Sequence, residues 1–336
     1  MSLLRDEIAE QPAVLARLLA AEAEAIEELA AGLRSDPPRF ALIAARGSSD
    51  NVARYAQHVL GHLCRIPVAL ATPSLYTLYG TPPRLDGALA IGISQSGASP
   101  DVTAVIEDAA EQAQTTVAIT NDPRSPLARA AQHVIELGTG EERSVAATKT
   151  YTASLGAVAA LAAALAGAPH LREELHAAPD AVAAQLAEPV DRAADVAAAW
   201  ERCAVVGRGA NYGTAFETAL KIKELTGIAA EPYSPPDFMH GPIAVLGPEH
   251  PLLAIAPAGP AAAGVGELVE EAHRRHAPAI VAAPDAAAHL RLVAMPEWLS
   301  PLGAVVPAQL LAATLAERRG IEVDRPFGLS KVTRTT

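Results

Sequence analysis

A run of small polar residues, Ser94, Gln95, Ser96 and Ser99, follows an apolar segment and precedes a helical pattern. In a parallel sheet, a turn between a strand and a helix lies at the carboxyl edge, where such sheets bind ligands. A helix N-terminus offers unpaired N–H groups and a partial positive charge, and the hydroxyls add further donors. The run therefore predicts a phosphate site. The alternative is structural, with Ser99 as a helix N-cap and the other serines as turn formers.

A second polar turn, Ser48 and Ser49, follows the apolar segment 40–45. If the two apolar segments are neighbouring strands, both turns can converge on one ligand. The alternative is again a cap, with Ser49 or Asp50 preceding a helix over 51–63.

Three charged residues of the second half, Glu217, Lys221 and Glu224, fall on one face of a helical segment that Gly227 ends. Such a set is a candidate for acid–base chemistry. Spacing alone, however, favours a solvated stripe of ion pairs, because Glu-to-Lys pairs one turn apart modestly stabilise exposed helices. On spacing we therefore interpret the set as a surface feature.

One histidine, His240, lies in the proline-rich segment 231–242, which we expect to be a stiffened loop beyond a strand. Histidine titrates near neutral pH and can move protons, and rigid presentation beside an acidic helix favours such a role. A lone histidine is more often an ordinary surface residue. Lys331, near the C-terminus, is by default a solvated lysine of the tail.

The elements that must position these residues form an internal repeat. Arg208 follows Arg46 by 162 residues, and Gly209 follows Gly47 by the same spacing. The spacing also relates Ile66 to Ile228, 88–97 to 250–259 and 115–120 to 277–282. One constant spacing over four strand-like segments indicates two copies of one domain.

The repeat separates structural from functional residues in the polar run. At the matched positions the second half has Ala256, Pro257, Ala258, Gly259, Pro260 and Ala261. The glycine that matches Gly97 is kept, whereas every hydroxyl is missing, so the fold does not need the serines. This difference favours the phosphate site over the structural alternative.

Each half alternates short apolar segments with helical patterns. The segments are apolar on both faces, as are strands buried in a parallel sheet with helices as right-handed crossovers. The sequence therefore predicts two tandem doubly wound α/β domains. We expect an N-terminal helical segment over 1–35, a first domain over 36–165, a helical connector over 166–199 and a second domain with the C-terminal tail over 200–336.

Composition narrows the class of protein. Half of the 336 residues are hydrophobic and the net charge is −12, so the chain can bury large cores and repels a nucleic-acid backbone. Two cysteines without a CxxC pair favour a reducing cytoplasm over a disulfide framework or a cysteine zinc site. The N-terminus does not resemble a signal peptide, and the alanine-rich run 157–168 is too short to span a bilayer. We expect a soluble, cytoplasmic protein without nucleic-acid or membrane partners and without a metal or other cofactor.

Six motifs in order carry a specific resemblance over residues 40–336. They are R-G-S-S (46–49), S-Q-S-G-x-S (94–99), VAATKT (145–150), ALKIKEL (219–225), HGP (240–242) and D-R-P-x-x-L-S-K (324–331). With these motifs the chain resembles the sugar isomerase (SIS) family, in particular the double-domain isomerase half of glutamine–fructose-6-phosphate aminotransferase and its deaminase relatives. The resemblance implies two SIS domains in tandem.

The resemblance also implies which residues bind the substrate, a phosphosugar. The residues matching the family's phosphate site are Ser49, Ser94, Gln95, Ser96 and Ser99, and those matching its sugar contacts are Ser48 and the backbone near Val145. Two positions depart from the family pattern. Ala98 stands where an acidic residue is common and Ala147 where serine is common, which leaves room for a different substrate.

Four further residues match catalytic positions of the family. Glu224 matches the base that moves a proton between C1 and C2 of the open-chain sugar, and Lys221 matches a helix lysine of the site. His240 matches a ring-opening histidine supplied by the neighbouring subunit, so the resemblance implies a homodimer with shared active sites. Lys331 matches a lysine that reaches into the site, which replaces its default interpretation as a tail residue.

The resemblance implies metal-independent chemistry. We expect an amino-sugar-6-phosphate deaminase and isomerase that converts glucosamine 6-phosphate to fructose 6-phosphate and ammonia through an enolamine. The alternatives are β-elimination from N-acetylglucosamine 6-phosphate, a deglycase acting on sugar–amino-acid phosphates, and a non-catalytic sugar-phosphate sensor. We do not expect a glutaminase domain in the roughly 35 residues before the first strand, which favours the degradative direction.

Overall fold

The computed structural model describes residues 2–326, 328, 330 and 331. The strands are β1 (Phe40–Ala45), β2 (Val68–Leu70), β3 (Ala88–Ile93), β4 (Thr115–Thr120), β5 (His133–Glu136), β6 (Arg202–Val206), β7 (Ala229–Tyr233), β8 (Leu252–Ile255), β9 (Ala279–Ala283) and β10 (Leu290–Arg291). The helices are α1 (Leu3–Ala9), α2 (Gln11–Ala21), α3 (Ala23–Ser35), α4 (Ser48–Cys64), α5 (Ser74–Thr77), α6 (Pro100–Glu111), α7 (Pro126–Ala130), α8 (Lys149–Ala166), α9 (Pro169–His176), α10 (Ala178–Leu186), α11 (Asp191–Ala197), α12 (Tyr212–Thr226), α13 (Pro235–Met239), α14 (Ala262–Arg274) and α15 (Ser300–Arg318). Short 3₁₀ segments span Gly209–Asn211, Pro242–Val245 and Glu297–Leu299.

The first sheet is parallel throughout, with the strand order β2-β1-β3-β4-β5. Ala45, the last residue of β1, pairs with Ile93, the last residue of β3. Alternate strand residues, such as Leu42 and Ala90, pack with Val105 of α6 in one hydrophobic core. Every residue of β3 is buried, which is why this segment is apolar on both faces.

The second sheet is also parallel, with the order β10-β9-β8-β6-β7. Successive residues of β6 point to opposite faces of the sheet and therefore pack in different cores. Cys203 lies in a core with Ile222 of α12 and Leu311 of α15, whereas Ala204 lies in a core with Leu268 of α14. Helices therefore cover both faces of this sheet.

The two sheets have the same topology. Read from β7, the second sheet has the order β7-β6-β8-β9-β10, which matches β2-β1-β3-β4-β5 of the first sheet strand for strand. The first four strands of each sheet begin within two residues of the 162-residue spacing seen in the sequence. The prediction of two doubly wound parallel sheets related by an internal repeat is confirmed.

The chain divides into two compact units, which we name after their sheets. The first-sheet unit comprises residues 13–142 and 149–176, and the second-sheet unit comprises the described residues of 1–12, 143–148 and 177–331. Helix α1 therefore belongs to the second-sheet unit, although it precedes the first sheet in the chain. The domain boundaries expected from the sequence stay predictions.

Two helical segments are long and apolar enough to match a membrane span. They are α8 and the segment Glu297–Arg318, and the latter includes α15. However, 83% of the apolar window in α8 and 94% of that in Glu297–Arg318 is buried inside the folded chain. The apolar residues of these helices are thus accounted for by packing in the protein cores.

Candidate functional site

The serine loop, residues 94–99, connects β3 to α6 in the first-sheet unit. The Gly97 amide donates to the Ser94 carbonyl oxygen at 3.1 Å and to the Ser94 hydroxyl at 3.2 Å, which closes a tight turn. Ser99 has the N-cap position of α6, but within the described part of the chain its side chain makes no capping hydrogen bond. Its hydroxyl instead lies 3.5 Å from that of Ser94. Ser99 is therefore the N-cap residue in position, as the structural alternative expects, but its hydroxyl is not used for capping.

The serine loop presents its polar groups on a fixed backbone. Ser94 is buried, while Gln95, Ser96 and Ser99 are partly exposed. The Gln95 carbonyl accepts a hydrogen bond from the Asn121 amide at 3.1 Å, which ties the loop to the turn after β4. Hydroxyls and an amide side chain thus stand beside the N-terminus of α6, an arrangement that suits a phosphate group.

The second polar turn lies at the same edge of the same sheet. Helix α4 begins at Ser48, and its N-cap is Gly47, which has a φ of +56°. Ser48 and Ser49 therefore lie within the first helical turn, and the expectation that Ser49 or Asp50 caps the helix is wrong. Because β1 and β3 are adjacent, the structure brings this turn and the serine loop to neighbouring positions, as the sequence predicts.

An ion pair between Arg46 and Asp101 is a functional candidate that the sequence motifs do not predict. Arg46 Nε lies 2.6 Å from Asp101 Oδ2; the arginine side chain is 52% exposed, and Asp101 is buried in the first turn of α6. Since Ala45 pairs with Ile93, Arg46 and Ser94 are the next residues along adjacent strands. The pair holds a guanidinium beside the serine loop and offsets a carboxylate that would repel a phosphate. One signal was available in the difference at Asp101, which corresponds to Ala263, because the arginine follows the first strand of both halves and does not distinguish them.

Helix α12 carries a buried ionic cluster in the second-sheet unit, which we call the α12 cluster and define as Glu217, Lys221 and Glu224. Lys221 Nζ lies 2.5 Å from Glu224 Oε2 and 3.4 Å from Glu217 Oε1. The side chains of Lys221 and Glu217 are 1% and 0% exposed, whereas that of Glu224 is 23% exposed. The solvated stripe that spacing favours is therefore wrong.

The α12 cluster is arranged for acid–base chemistry. The buried ammonium of Lys221 fixes the carboxylate of Glu224, which reaches solvent, and Glu217 holds the ammonium from the buried side. From spacing alone, Glu217 is only a member of the predicted stripe. Its burial results from the packing of α12 against α15 and β7, which the periodicity of one helix cannot show.

His240 lies in a turn between two short helical segments, whereas most of the expected loop over 231–242 is strand or helix. It is the C-cap of α13, and its amide lies 3.2 Å from the carbonyl oxygens of Pro236 and Asp237. His240 is exposed, and two exposed apolar side chains lie near it in the chain, Met239 (52% exposed) and Val245 (54% exposed). The histidine is thus presented on a rigid turn with an apolar border.

The two remaining predicted site residues are Val145, in the loop 143–148, and Lys331, in the C-terminal tail. The Val145 amide donates to the Asp324 carbonyl at 3.3 Å, which joins the loop 143–148 to the start of the tail motif. Lys331 is partly buried at the end of the described tail.

The predicted site residues fall into two sets. Those in the first-sheet unit are Ser48, Ser49, Ser94, Gln95, Ser96 and Ser99, and those in the second-sheet unit are Val145, Lys221, Glu224, His240 and Lys331. Among residues 2–326, 328, 330 and 331, no group of three or more His, Cys, Asp or Glu side chains is placed to hold a metal ion. Burial raises the pKa of the Cys64 thiol to about 11 and that of Cys203 to about 12, so neither is a ready nucleophile at neutral pH.

The chain spans about half the length of the curated relatives that it matches. One of them, glutamine–fructose-6-phosphate aminotransferase (isomerizing) from Zymomonas mobilis, is 31% identical over 98% of this chain and 58% of its own length.

Two solved structures share the architecture. A putative phosphosugar isomerase from Silicibacter pomeroyi DSS-3 superposes with a TM-score of 0.90 at 34% identity, covering 96% of this chain and 100% of the other. Glucosamine-6-phosphate deaminase from Thermotoga maritima superposes with a TM-score of 0.78 at 21% identity over 99% of this chain and 100% of its own, which shows the fold alone.

The model of the SIS domain family matches residues 38–164 and 198–316. The first match contains the serine loop and the first sheet, and the second contains the α12 cluster and the second sheet. The chain belongs to the SIS domain family.

Proposed function

We propose that the chain is an amino-sugar-6-phosphate isomerase and deaminase that converts glucosamine 6-phosphate to fructose 6-phosphate and ammonia. The observation that carries this proposal is the α12 cluster, in which a solvent-accessible carboxylate is held by a buried ammonium. Burying two charged side chains is costly, and such groups cluster at functional sites, whereas a sugar-phosphate sensor needs only to bind. The similarity to aminotransferases whose name specifies fructose 6-phosphate supports the substrate class.

The phosphate group is anchored by the first-sheet unit. Hydroxyls of Ser49, Ser94, Ser96 and Ser99 and the amide of Gln95 donate to its oxygens, and the guanidinium of Arg46 adds positive charge. Anchoring the phosphate positions C1 and C2 of the sugar for reaction, which replaces a costly bimolecular encounter. Ser48, the backbone near Val145, and Lys331 complete the contacts to the sugar.

The α12 cluster carries out the proton transfer. After His240 assists ring opening, Glu224 removes the proton from C2, and the C–H electron pair forms the C1=C2 bond of an enolamine as the C1 oxygen takes up a proton. Glu224 then returns its proton to C1, and the nitrogen lone pair forms the C=N bond of a protonated imine at C2. Water adds to this imine, the C–N bond breaks, and ammonia leaves a carbonyl at C2. The balance needs one water and no oxidant or reductant.

The proposal includes a homodimer in which His240 serves the partner's site. The exposed apolar side chains of Met239 and Val245 near His240 support this, because such a border suits a protein interface. A complementation experiment tests it: His240→Ala and Glu224→Gln, each inactive alone, should regain part of the activity when subunits are exchanged. A mixture that stays inactive after verified exchange would contradict the shared site.

Product analysis tests the proposed reaction. Purified protein is incubated with glucosamine 6-phosphate and, in parallel, with N-acetylglucosamine 6-phosphate, and ammonia and sugar products are followed by enzymatic assay and mass spectrometry. Stoichiometric ammonia and fructose 6-phosphate are expected from the first substrate. Loss of water from the acetylated sugar without ammonia from the free amine would contradict the deaminase and show β-elimination.

A further inference from the structure

Helix α1 carries a buried carboxylate that binds a loop far away in the sequence. Glu7 is 4% exposed and accepts hydrogen bonds from the amides of Arg143 and Ser144 and from the Ser144 hydroxyl. Ser144 itself is fully buried. Removing a carboxylate from water is costly unless several donors replace the water, so Glu7 is committed to the loop 143–148.

The start of α1 is bound to the C-terminal tail. Asp324 accepts hydrogen bonds from the amides of Leu3 and Leu4, at 3.1 and 2.8 Å, and thus satisfies N–H groups that the first turn leaves unpaired. The carbonyl of the same Asp324 accepts the Val145 amide at 3.3 Å. Glu7 and Asp324 together therefore fix three consecutive residues of the loop 143–148.

Helix α1 is itself anchored to the core of the second-sheet unit. Leu4 and Ile8 are fully buried in the same hydrophobic core as α12 and α15. Arg5 forms two hydrogen bonds to the Glu317 carboxylate, at 2.7 and 2.8 Å, and one to the Thr314 hydroxyl at 2.9 Å. The helix is therefore a rigid support from which Glu7 and the capped N-terminus hold the loop and the tail.

We propose that α1 is a positioning element of the active site and that Glu7 is its principal positioning residue. The inference rests on the proposed function, in which the backbone near Val145 contacts the sugar and Lys331, seven residues after Asp324, reaches the substrate. By fixing the loop and the start of the tail through one helix, the chain orients both contacts before substrate arrives. Glu7 touches neither the substrate nor the reacting atoms.

The test compares Glu7→Gln with Asp6→Asn, a matched change of an exposed neighbour on α1. The amide that replaces the Glu7 carboxylate keeps one acceptor oxygen but cannot accept from all three loop donors. We expect Glu7→Gln to lower kcat by about ten- to a hundredfold, the loss that a small misplacement of reacting groups causes, with a smaller change in KM. The amides of residues 143–145 should exchange hydrogen faster in this variant. Asp6→Asn should match the unaltered chain in both readouts.

Three results would overturn the proposal: unchanged kcat in Glu7→Gln, unchanged amide exchange over 143–145, or equal losses in both variants. If Glu7→Gln does not fold, Ser144→Ala removes a single donor and should lower kcat several-fold with the same local increase in exchange; no change in either would also overturn it. An unaltered chain that is inactive on every phosphosugar tested would contradict the proposed function instead. In that case amide exchange alone decides whether Glu7 holds the loop.

Discussion

The serine loop and its counterpart in the second half, residues 256–261, make the same connection from a strand to a helix with different side chains. Both loops depend on a glycine with positive φ, Gly97 at +59° and Gly259 at +140°. A Cβ atom at Gly97 would lie 2.1 Å from Ser125 Oγ, and one at Gly259 would lie 2.1 Å from Glu297 Oε2. The glycine is thus a requirement of the fold, whereas the hydroxyls are present only where we propose that a phosphate binds.

Helices α4 and α12 each follow the first strand of their sheet. In this pair the second half has the polar cluster and the first half lacks it. At the 162-residue spacing, the positions of the α12 cluster correspond on α4 to Tyr55, Val59 and His62. Tyr55 and Val59 are fully buried core residues. The first half therefore has the hydroxyl-rich loop without the ionic cluster, and the second half has the cluster without the hydroxyls. The proposed function accordingly assigns phosphate binding to the first copy of the fold and proton transfer to the second.

The largest expected effect is at Glu224. Glu224→Gln keeps the size of the side chain but removes its ability to take a proton, so kcat should fall by about 10²–10⁴-fold. The Kd for glucosamine 6-phosphate, measured by calorimetry, should stay within a few-fold. The matched change on α4, His62→Gln, should leave kcat unaltered. Turnover that persists in Glu224→Gln would remove this residue from the role of base.

The next effect is expected at Ser96, which corresponds to Ala258. Ser96→Ala removes a donor to a charged group, so Kd for the phosphosugar should rise by roughly tenfold or more. At saturating substrate kcat should change little. Adding the hydroxyl to the other loop, with Ala258→Ser, should not improve binding. Equal affinity in Ser96→Ala and the unaltered chain would argue against the phosphate site.

Arg46 and Arg208 offer a further pair of matched substitutions. Asp101 has its counterpart in Ala263, so the second half lacks the carboxylate that Arg46 binds. Arg46→Gln should weaken phosphosugar binding several-fold, because the guanidinium is lost and Asp101 keeps its negative charge beside the serine loop. Arg208→Gln should leave binding unaltered. Similar Kd values for the two variants would contradict the role given to Arg46.

The smallest difference between the halves is expected at their glycines. Gly97→Ala and Gly259→Ala both place a Cβ where a side chain already lies and force a non-glycine residue to positive φ. Each should lower the free energy of unfolding by about 1–3 kcal/mol, measured by denaturant titration. Ser96→Ala serves as the control and should unfold like the unaltered chain. A loss confined to one glycine variant would show that the loops are not equivalent in the fold.

Much of the fold could be predicted from the sequence, because both sheets are built from short segments buried on both faces. The constant spacing between the halves identified the repeat before any tertiary contact was known. The serine loop was also predictable, since the second half shows which of its residues the turn itself requires. Helix α1 could not be assigned to either sheet from chain order, because its buried residues Leu4 and Ile8 pack in the core of the second sheet, which comes much later in the chain.

The parts of the site that escaped prediction depend on tertiary packing. The spacing of the α12 cluster is the same in a solvated stripe and in a buried set, and only the contacts of α12 with α15 and β7 distinguish them. The Arg46–Asp101 pair joins residues 55 positions apart, and the bonds of Glu7 to the loop span more than 130 positions. The local sequence pattern around a residue does not indicate which distant residue it will contact.

Deuterium incorporation from D₂O tests the division of chemistry between the halves most directly. Unaltered protein, Ser96→Ala and Glu224→Gln are each incubated with saturating glucosamine 6-phosphate, and deuterium at C1 and C2 of the sugars is followed by NMR. We predict incorporation at similar rates by the unaltered protein and Ser96→Ala, and none by Glu224→Gln while it still binds the sugar. Incorporation by Glu224→Gln at the rate of the unaltered protein would contradict the proposal that the second half supplies the base.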